Sequence, residues 1–354
     1  MKFFKKLFSP TSVSFQVKVD QSDICFHSRK DKTVLESALE AGIAFPHDCR
    51  VGTCGTCKCI LLDGQTKAVM DYSYALSAEE LNQGYILACQ AKAKSDLLLK
   101  IDGDLGQRRH DLSTNEGYVS RVLPLTHDIA EVQVKLESPI KYLAGQYADI
   151  TTTEIGDGRS YSFAEPSSSE GSSLVKFFVR KVPGGLMSNL LNDKSAVQRK
   201  VILTGPYGDF FFRGTQKPVL FICGGSGFAP IKAILEQCIQ DQEFPPVVFL
   251  FGARTEDDLY CLEEISEIQK EWKNNFEFVP LLSNEPLESS WSGARGLVTE
   301  YIDSFFDAGS SGSSAYLCGP PAMIDAAIEK LVQTGMKNDQ IHFDKFLDKS
   351  HLQN

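Results

Sequence analysis

The sequence has no long apolar run: no stretch approaches the length of a membrane span or of a signal-peptide h-region. It has no obvious internal repeat, so its 354 residues leave room for two or three domains and at least one sizeable core. Basic residues are fewer than acidic ones, 36 against 46. The formal net charge of -10 argues against nucleic acid as a partner, because a phosphate backbone rewards a basic surface. The ten cysteines do not suggest a disulfide framework either, since several crowd into one short stretch. A reducing cytoplasm is therefore the expected compartment.

What the chain does have is four cysteines, Cys49, Cys54, Cys57 and Cys89, at the spacing C-x4-C-x2-C-x31-C. This is the ligand spacing of a plant-type [2Fe-2S] centre. Gly52 and Gly55, with Thr53 and Thr56 beside them, suit a loop whose backbone N–H groups must turn toward the sulfurs. A structural zinc site is the alternative, but it usually takes two C-x2-C pairs and here there is one. Cys59 lies outside the pattern, and Cys25, Cys223, Cys238, Cys261 and Cys318 read mostly as small core residues.

Alternation over Ser12 to Val19 predicts a strand, and Lys32 to Gly42 a helix closed by glycine. A short strand is expected at Lys58 to Leu62, and a second short element over Tyr85 to Gln90 brings in Cys89. The polar run Gln107 to Asp111 is a candidate linker. From Gly117 to about Gly205 strand-like segments alternate with Pro-, Gly- and Ser-rich turns, which predicts a small antiparallel barrel. Beyond Lys217 the pattern becomes apolar strand, helix, apolar strand, as in a parallel α/β sheet. The expected domains are residues 1–105, 113–212 and 213–354.

Each later domain carries motifs of its own. In the barrel, Arg159-Ser-Tyr-Ser162 offers a cation for phosphate, an aromatic face for an isoalloxazine ring and a hydroxyl for a ring nitrogen. Val182-Pro-Gly-Gly185, followed by Ser188, offers backbone N–H groups to a pyrophosphate. A surface arginine, a core tyrosine and an ordinary Pro-Gly turn would look the same. In the α/β segment, Gly224-Gly-Ser-Gly227 follows an apolar strand and precedes a helix, the placement that presents N–H groups to a dinucleotide, although it is not a GxGxxG fingerprint. Cys318-Gly-Pro-Pro321 ends a later strand, where a small thiol could lie beside a nicotinamide ring; a packed core cysteine is the other reading. After the strand Val247 to Phe251, the acids Glu256, Asp257 and Asp258 favour NADH over NADPH, while Arg254 points the opposite way.

With these motifs, and with Thr33 to Leu39, Gly42 to Cys49 and Phe251-Gly-Ala-Arg254, the chain resembles the NADH-dependent ferredoxin reductase components of bacterial multicomponent oxygenases. The resemblance implies a β-grasp ferredoxin domain, an antiparallel barrel for FAD and a parallel-sheet NAD domain. It implies that Cys49 and Cys54 hold one iron of a [2Fe-2S] cluster and Cys57 and Cys89 the other. Arg159, Tyr161, Ser162, Val182, Gly184, Gly185 and Ser188 would bind FAD, Gly225, Gly227 and Arg254 would bind NADH, and Cys318 would meet the nicotinamide. Ser162 and Cys318 would take part in hydride transfer, and Phe346 belongs to a terminal aromatic segment near the flavin. The implied partner is the hydroxylase component of an oxygenase, expected to be a membrane-bound di-iron enzyme. A soluble monooxygenase or ring-hydroxylating dioxygenase is the runner-up within the class, and a flavin-free cluster or zinc protein is the alternative outside it. A monomer without a transmembrane segment is expected. Residues Met1 to Phe8, with three lysines beside Phe3, Phe4, Leu7 and Phe8, suit either a soluble terminus or contact with the inner membrane.

Overall fold

The computed structural model describes residues 13–101, 110–306 and 312–347. The segment Met1–Phe8 and most of the candidate linker lie outside them. The chain divides into two compact units, Met1–Asp111 and Leu112–Asn354.

The first unit contains β1 (Ser14–Val19), β2 (Cys25–Arg29), α1 (Val34–Glu40), β3 (Lys58–Asp63), β4 (Thr66–Ala68), α2 (Ala78–Asn82), β5 (Tyr85–Leu87), β6 (Ala91–Ala93) and β7 (Leu97–Lys100). Five strands form a sheet in the order β2-β1-β7-β3-β5, with β1 parallel to β7 and the other pairs antiparallel. The helix begins where the sequence supplies a reciprocal cap. The Thr33 hydroxyl accepts from the Glu36 N–H at 3.2 Å, and the Glu36 carboxylate accepts from the Thr33 N–H at 2.7 Å. Val34, Leu35, Ala38 and Leu39 then bury one helical face.

The second unit opens with β8 (Ser113–Pro124), β9 (Ile129–Ile140), β10 (Tyr147–Thr151), β11 (Arg159–Ser162), β12 (Ser172–Arg180), α3 (Leu186–Leu191) and β13 (Lys200–Tyr207). These strands pair antiparallel in the order β11-β10-β13-β8-β9-β12, and a bridge between Phe163 and Phe177 joins the two ends of the curled sheet. Then follow β14 (Val219–Gly224), α4 (Phe228–Gln240), β15 (Val247–Ala253), α5 (Leu262–Glu271), β16 (Phe276–Leu282), β17 (Ala294–Arg295), α6 (Val298–Phe305), β18 (Ser314–Gly319), α7 (Pro321–Gln333) and β19 (Ile341–Lys345). They form a parallel sheet, β17-β16-β15-β14-β18-β19, whose central strand β14 is buried throughout. Such continuous apolar strands are what a sheet covered on both faces requires. One apolar cluster unites both halves of this unit, with Ile129 and Phe178 from the curled sheet and Phe210 just past it beside Phe221 and Cys318 from the parallel sheet and Phe228 from α4.

Candidate functional site

The three near cysteines lie on the loop before β3, and sheet register brings in the fourth. Lys58 pairs with Leu87 across β3 and β5, and the Ala88 N–H donates to the Cys57 carbonyl at 3.1 Å, so Cys89 arrives beside Cys57. Gly52 and Gly55 both take positive φ, as a loop turning its N–H groups inward requires. The Cys54 N–H points at the Cys49 sulfur at 3.4 Å. Cys49 is drawn down to about 5, chiefly because the Cys54 thiol donates to it and further because Thr53 and Val51 do so. Cys54 and Cys57 are pushed up, each first by sharing a hydrogen bond with its neighbour, Cys49 and Cys89 respectively. Four thiols thus converge as two proton-sharing pairs, a donor set suited to a thiolate-bound iron–sulfur centre.

Several supporting residues carry no signal in the cysteine spacing. Gln90 is buried and donates through its amide to the Arg50 carbonyl at 3.2 Å, tying the loop to the Cys89 segment. The Thr56 hydroxyl donates to buried Asp48 at 2.6 Å. Cys59 points into the core, where burial pushes its thiol up to about 12. Of the cysteines that read mostly as core residues, Cys223, Cys238 and Cys318 are buried, but Cys25 is exposed and Cys261 half-buried. Cys25 falls on the outward phase of β2, and Cys261 precedes α5 with a left-handed φ of 55°.

In the curled sheet, Arg159 and Tyr161 share one face of β11, while Ser162 turns inward and is buried. The Arg159 guanidinium donates to the Gly158 carbonyl at 2.8 Å, which orients it over the preceding turn. Tyr161 is half-buried with its edge toward Phe177, and burial raises its hydroxyl pKa. At the second motif the Ser188 hydroxyl accepts from the Val182 N–H at 3.1 Å and closes the turn from inside. A Cβ at Gly185 would meet that hydroxyl at 2.6 Å, whereas one at Gly184 would meet nothing within 4 Å. The result is a tight turn with open space on its outer side, a surface that fits the diphosphate of a flavin nucleotide.

The parallel sheet brings the two remaining motifs into contact. A Cβ at Gly227 would lie 2.3 Å from the Cys318 carbonyl oxygen, so only glycine lets the loop rest on the end of β18. Gly225 takes φ 55°, and its carbonyl accepts from the buried Tyr260 hydroxyl at 2.9 Å. Tyr260 is held in turn by Phe178, Phe228 and Phe251. The helix after the loop starts at Phe228, because a single tight turn over Gly225–Gly227 runs straight into it. Cys318 is wholly buried, and the Phe346 N–H donates to the adjoining Gly319 carbonyl at 2.9 Å. Phe346 packs on the cluster containing Cys318, whereas Phe343 packs on the opposite side of the sheet.

Past the end of β15 lies a cavity of about 510 Å³ lined by His127, Arg254, Thr255, Asp257, Asp258 and Asn284. Its place at the carboxyl edge of a parallel sheet is where such folds bind nucleotides, and its volume suits part of one. His127 belongs to no motif of the sequence, because it comes from the β8–β9 turn of the other sheet.

A ferredoxin-like clamp, a curled flavin-type sheet and a parallel dinucleotide-type sheet in one chain define an NADH oxidoreductase dependent on flavin and an iron–sulfur centre. Sequence families match in that order: the 2Fe-2S iron-sulfur cluster binding domain over residues 17–94, the oxidoreductase FAD-binding domain over 117–212 and the oxidoreductase NAD-binding domain over 221–329. The chain is 40% identical over 351 residues to the xylene/toluene monooxygenase electron transfer component of Pseudomonas putida, covering 98% of this chain and 99% of that one. It is 35% identical to the propane 2-monooxygenase reductase component of Mycolicibacterium smegmatis, over 94% and 97% of the two chains. Among solved structures, the Amycolatopsis cytochrome P450 reductase superposes with a TM-score of 0.81 at 32% identity, over 94% and 98%. The chain belongs to the family of electron-transfer reductase components of oxygenases. No helix among the described residues is long and apolar enough to cross a membrane.

Proposed function

We propose that this reductase serves the hydroxylase of a hydrocarbon monooxygenase, and that this hydroxylase is a membrane-bound di-iron enzyme. The supporting observation is the end-to-end similarity, at 40% identity, to a xylene/toluene monooxygenase electron transfer component. Bound FAD would supply the conversion of a two-electron hydride donor into single electrons, which a one-electron acceptor protein needs.

The chain's own residues bind and orient. Cys49 with Cys54 and Cys57 with Cys89 would hold the two irons. Arg159 would neutralise flavin phosphate, and Tyr161 and Ser162 would hold the isoalloxazine ring. The turn Val182, Gly184 and Gly185, locked by Ser188, takes the diphosphate. Gly225 and Gly227 present backbone N–H groups to the dinucleotide pyrophosphate, and the cavity at Arg254 takes the adenosine end. Cys318 and Phe346 shape the nicotinamide end, and excluding water there favours transfer without a general base.

The test is reconstitution of hydrocarbon hydroxylation from NADH with the purified reductase and candidate hydroxylases. Turnover with a membrane fraction carrying a di-iron hydroxylase, and none with soluble oxygenases, is the expected result. Efficient coupling to a soluble oxygenase alone would refute the membrane assignment.

A further inference from the structure

The cavity beyond β15 contains a contradiction that its geometry resolves. Arg254 is the kind of residue that would welcome the 2′-phosphate of NADPH, yet it lies in a pocket otherwise rich in acid. Its guanidinium is not free. Asp128 Oδ2 lies 3.7 Å from Arg254 Nη2, and Asp258 Oδ2 lies 3.9 Å from Arg254 Nε.

Both carboxylates are themselves fixed. Asp258 caps its own turn, accepting from the Thr255 N–H at 3.0 Å and from the Thr255 hydroxyl at 3.1 Å. Asp128 accepts from the Thr126 hydroxyl at 3.2 Å and from Arg180 Nε at 2.9 Å. Arg180 in turn reaches over the dinucleotide loop, its Nη1 3.7 Å from where a Cβ on Gly225 would stand. The side chains of Asp128 and Asp258 are only 18% and 16% exposed, against 57% for Arg254, so the acids are the rigid members of the group. His127 Nδ1 stands 3.4 Å from Asp258. Counting Asp257, three carboxylates face two guanidinium groups around this rim, leaving it no positive surplus for a further dianion.

We propose that Asp128 and Asp258 hold the Arg254 guanidinium as an internal ion pair, away from the 2′ position of a bound adenosine ribose, and so make the pocket accept NADH and refuse NADPH. The selectivity then comes partly from Asp128, in the β8–β9 turn of the flavin-side sheet, and not only from the acidic run after β15. The inference rests on the reading that this cavity takes the adenosine end of the dinucleotide.

The experiment uses the full-length, flavin-loaded protein and two probes, 5′-AMP and adenosine 2′,5′-bisphosphate, titrated by calorimetry. NADH- and NADPH-driven ferricyanide reduction is measured beside it. Asp258→Asn keeps a capping oxygen and loses the charge. Asp128→Asn is the independent second variant. Each is expected to raise affinity for the bisphosphate relative to 5′-AMP about tenfold, with a parallel rise in the NADPH-to-NADH ratio of kcat/KM. Adding Arg254→Ala to either variant should reverse the gain. If neither variant shifts the ratio, or if Arg254→Ala fails to reverse the shift, the ion-pair account is overturned. Asn284→Trp separates that failure from a wrong assignment of the cavity. Unaltered 5′-AMP binding in this variant would overturn both the cavity's assignment and the proposal. Lost 5′-AMP binding, with no ratio change in the aspartate variants, would overturn the proposal alone.

Discussion

The cysteine loop and the glycine loop are both proposed to hold redox groups, but they are built in opposite ways. At the first, the chemistry resides in four side chains, three of them on one short loop, and a single strand pairing delivers the fourth. At the second, the chemistry depends on side chains that are missing. Gly227 touches the end of β18, and Tyr260 reaches back 35 residues to fix the Gly225 carbonyl. A site made of ligands tolerates change around it and fails when a ligand goes. A site made of close backbone approaches should degrade by degrees as its supports are altered.

The sharpest way to separate the two is Cys54→Ser. Cytochrome c reduction should fall to background while NADH-driven reduction of a small two-electron dye stays within about twofold, since only the exit through the cluster is damaged. Equal loss of both would break the contrast. Gly227→Ala should do the reverse. Its Cβ has no room beside the Cys318 carbonyl, so kcat/KM for NADH should drop about a hundredfold while visible iron–sulfur absorption is retained. A variant reduced as fast as the parent would refute the close-approach account.

A smaller effect concerns the support of the parallel sheet. His342 on β19 packs against Tyr316, and burial, aided by the Arg213 charge, lowers its pKa to about 3. Since the folded value lies below the ordinary value near 6.5, the neutral ring's contribution is complete above that pH and is lost as pH falls toward 3. Urea midpoints should therefore decline between about pH 6.5 and 4.5, and His342→Phe should recover about 1–2 kcal/mol of that decline. A His342→Phe profile parallel to the parent's would count against this. The mildest change is Tyr260→Phe, which removes one hydrogen bond to the glycine loop and should raise KM for NADH about fivefold, the equivalent of about 1 kcal/mol. An unchanged KM would show that the aromatic packing alone positions the loop.

The same contrast accounts for which parts of the molecule are legible in the sequence. Cys49, Cys54, Cys57 and Cys89 are legible because three thiols on one loop and a distant fourth match the ligand demand of one kind of metal centre. The strands β14, β15 and β18 are legible because a covered parallel sheet needs continuous apolar runs. The stretch from α5 to α6 is not. Only Ile265 and Ile268 are buried on α5, too few to stand out as a period among its charges. Pro280 obscures β16, yet it is tolerated there because the neighbouring β17 pairs only at Leu281 and Leu282. Asp128 and His127 carry no motif at all, and Arg254 alone suggests the opposite preference from the acids beside it.

Residue type and spacing by themselves marked the candidate redox sites, because four thiolates at that spacing, an arginine-aromatic-hydroxyl motif and a glycine loop after an apolar strand each match what they would hold. They also determined the order of the three modules. Tertiary structure alone decided how those pieces are aimed. It placed the Cys318 carbonyl beneath Gly227 and Phe346 beside Gly319, and it brought Asp128 from one sheet to an arginine of the other. Charges and close approaches act through distances in space, and no local pattern along the chain encodes the distance between residues that folding alone makes neighbours.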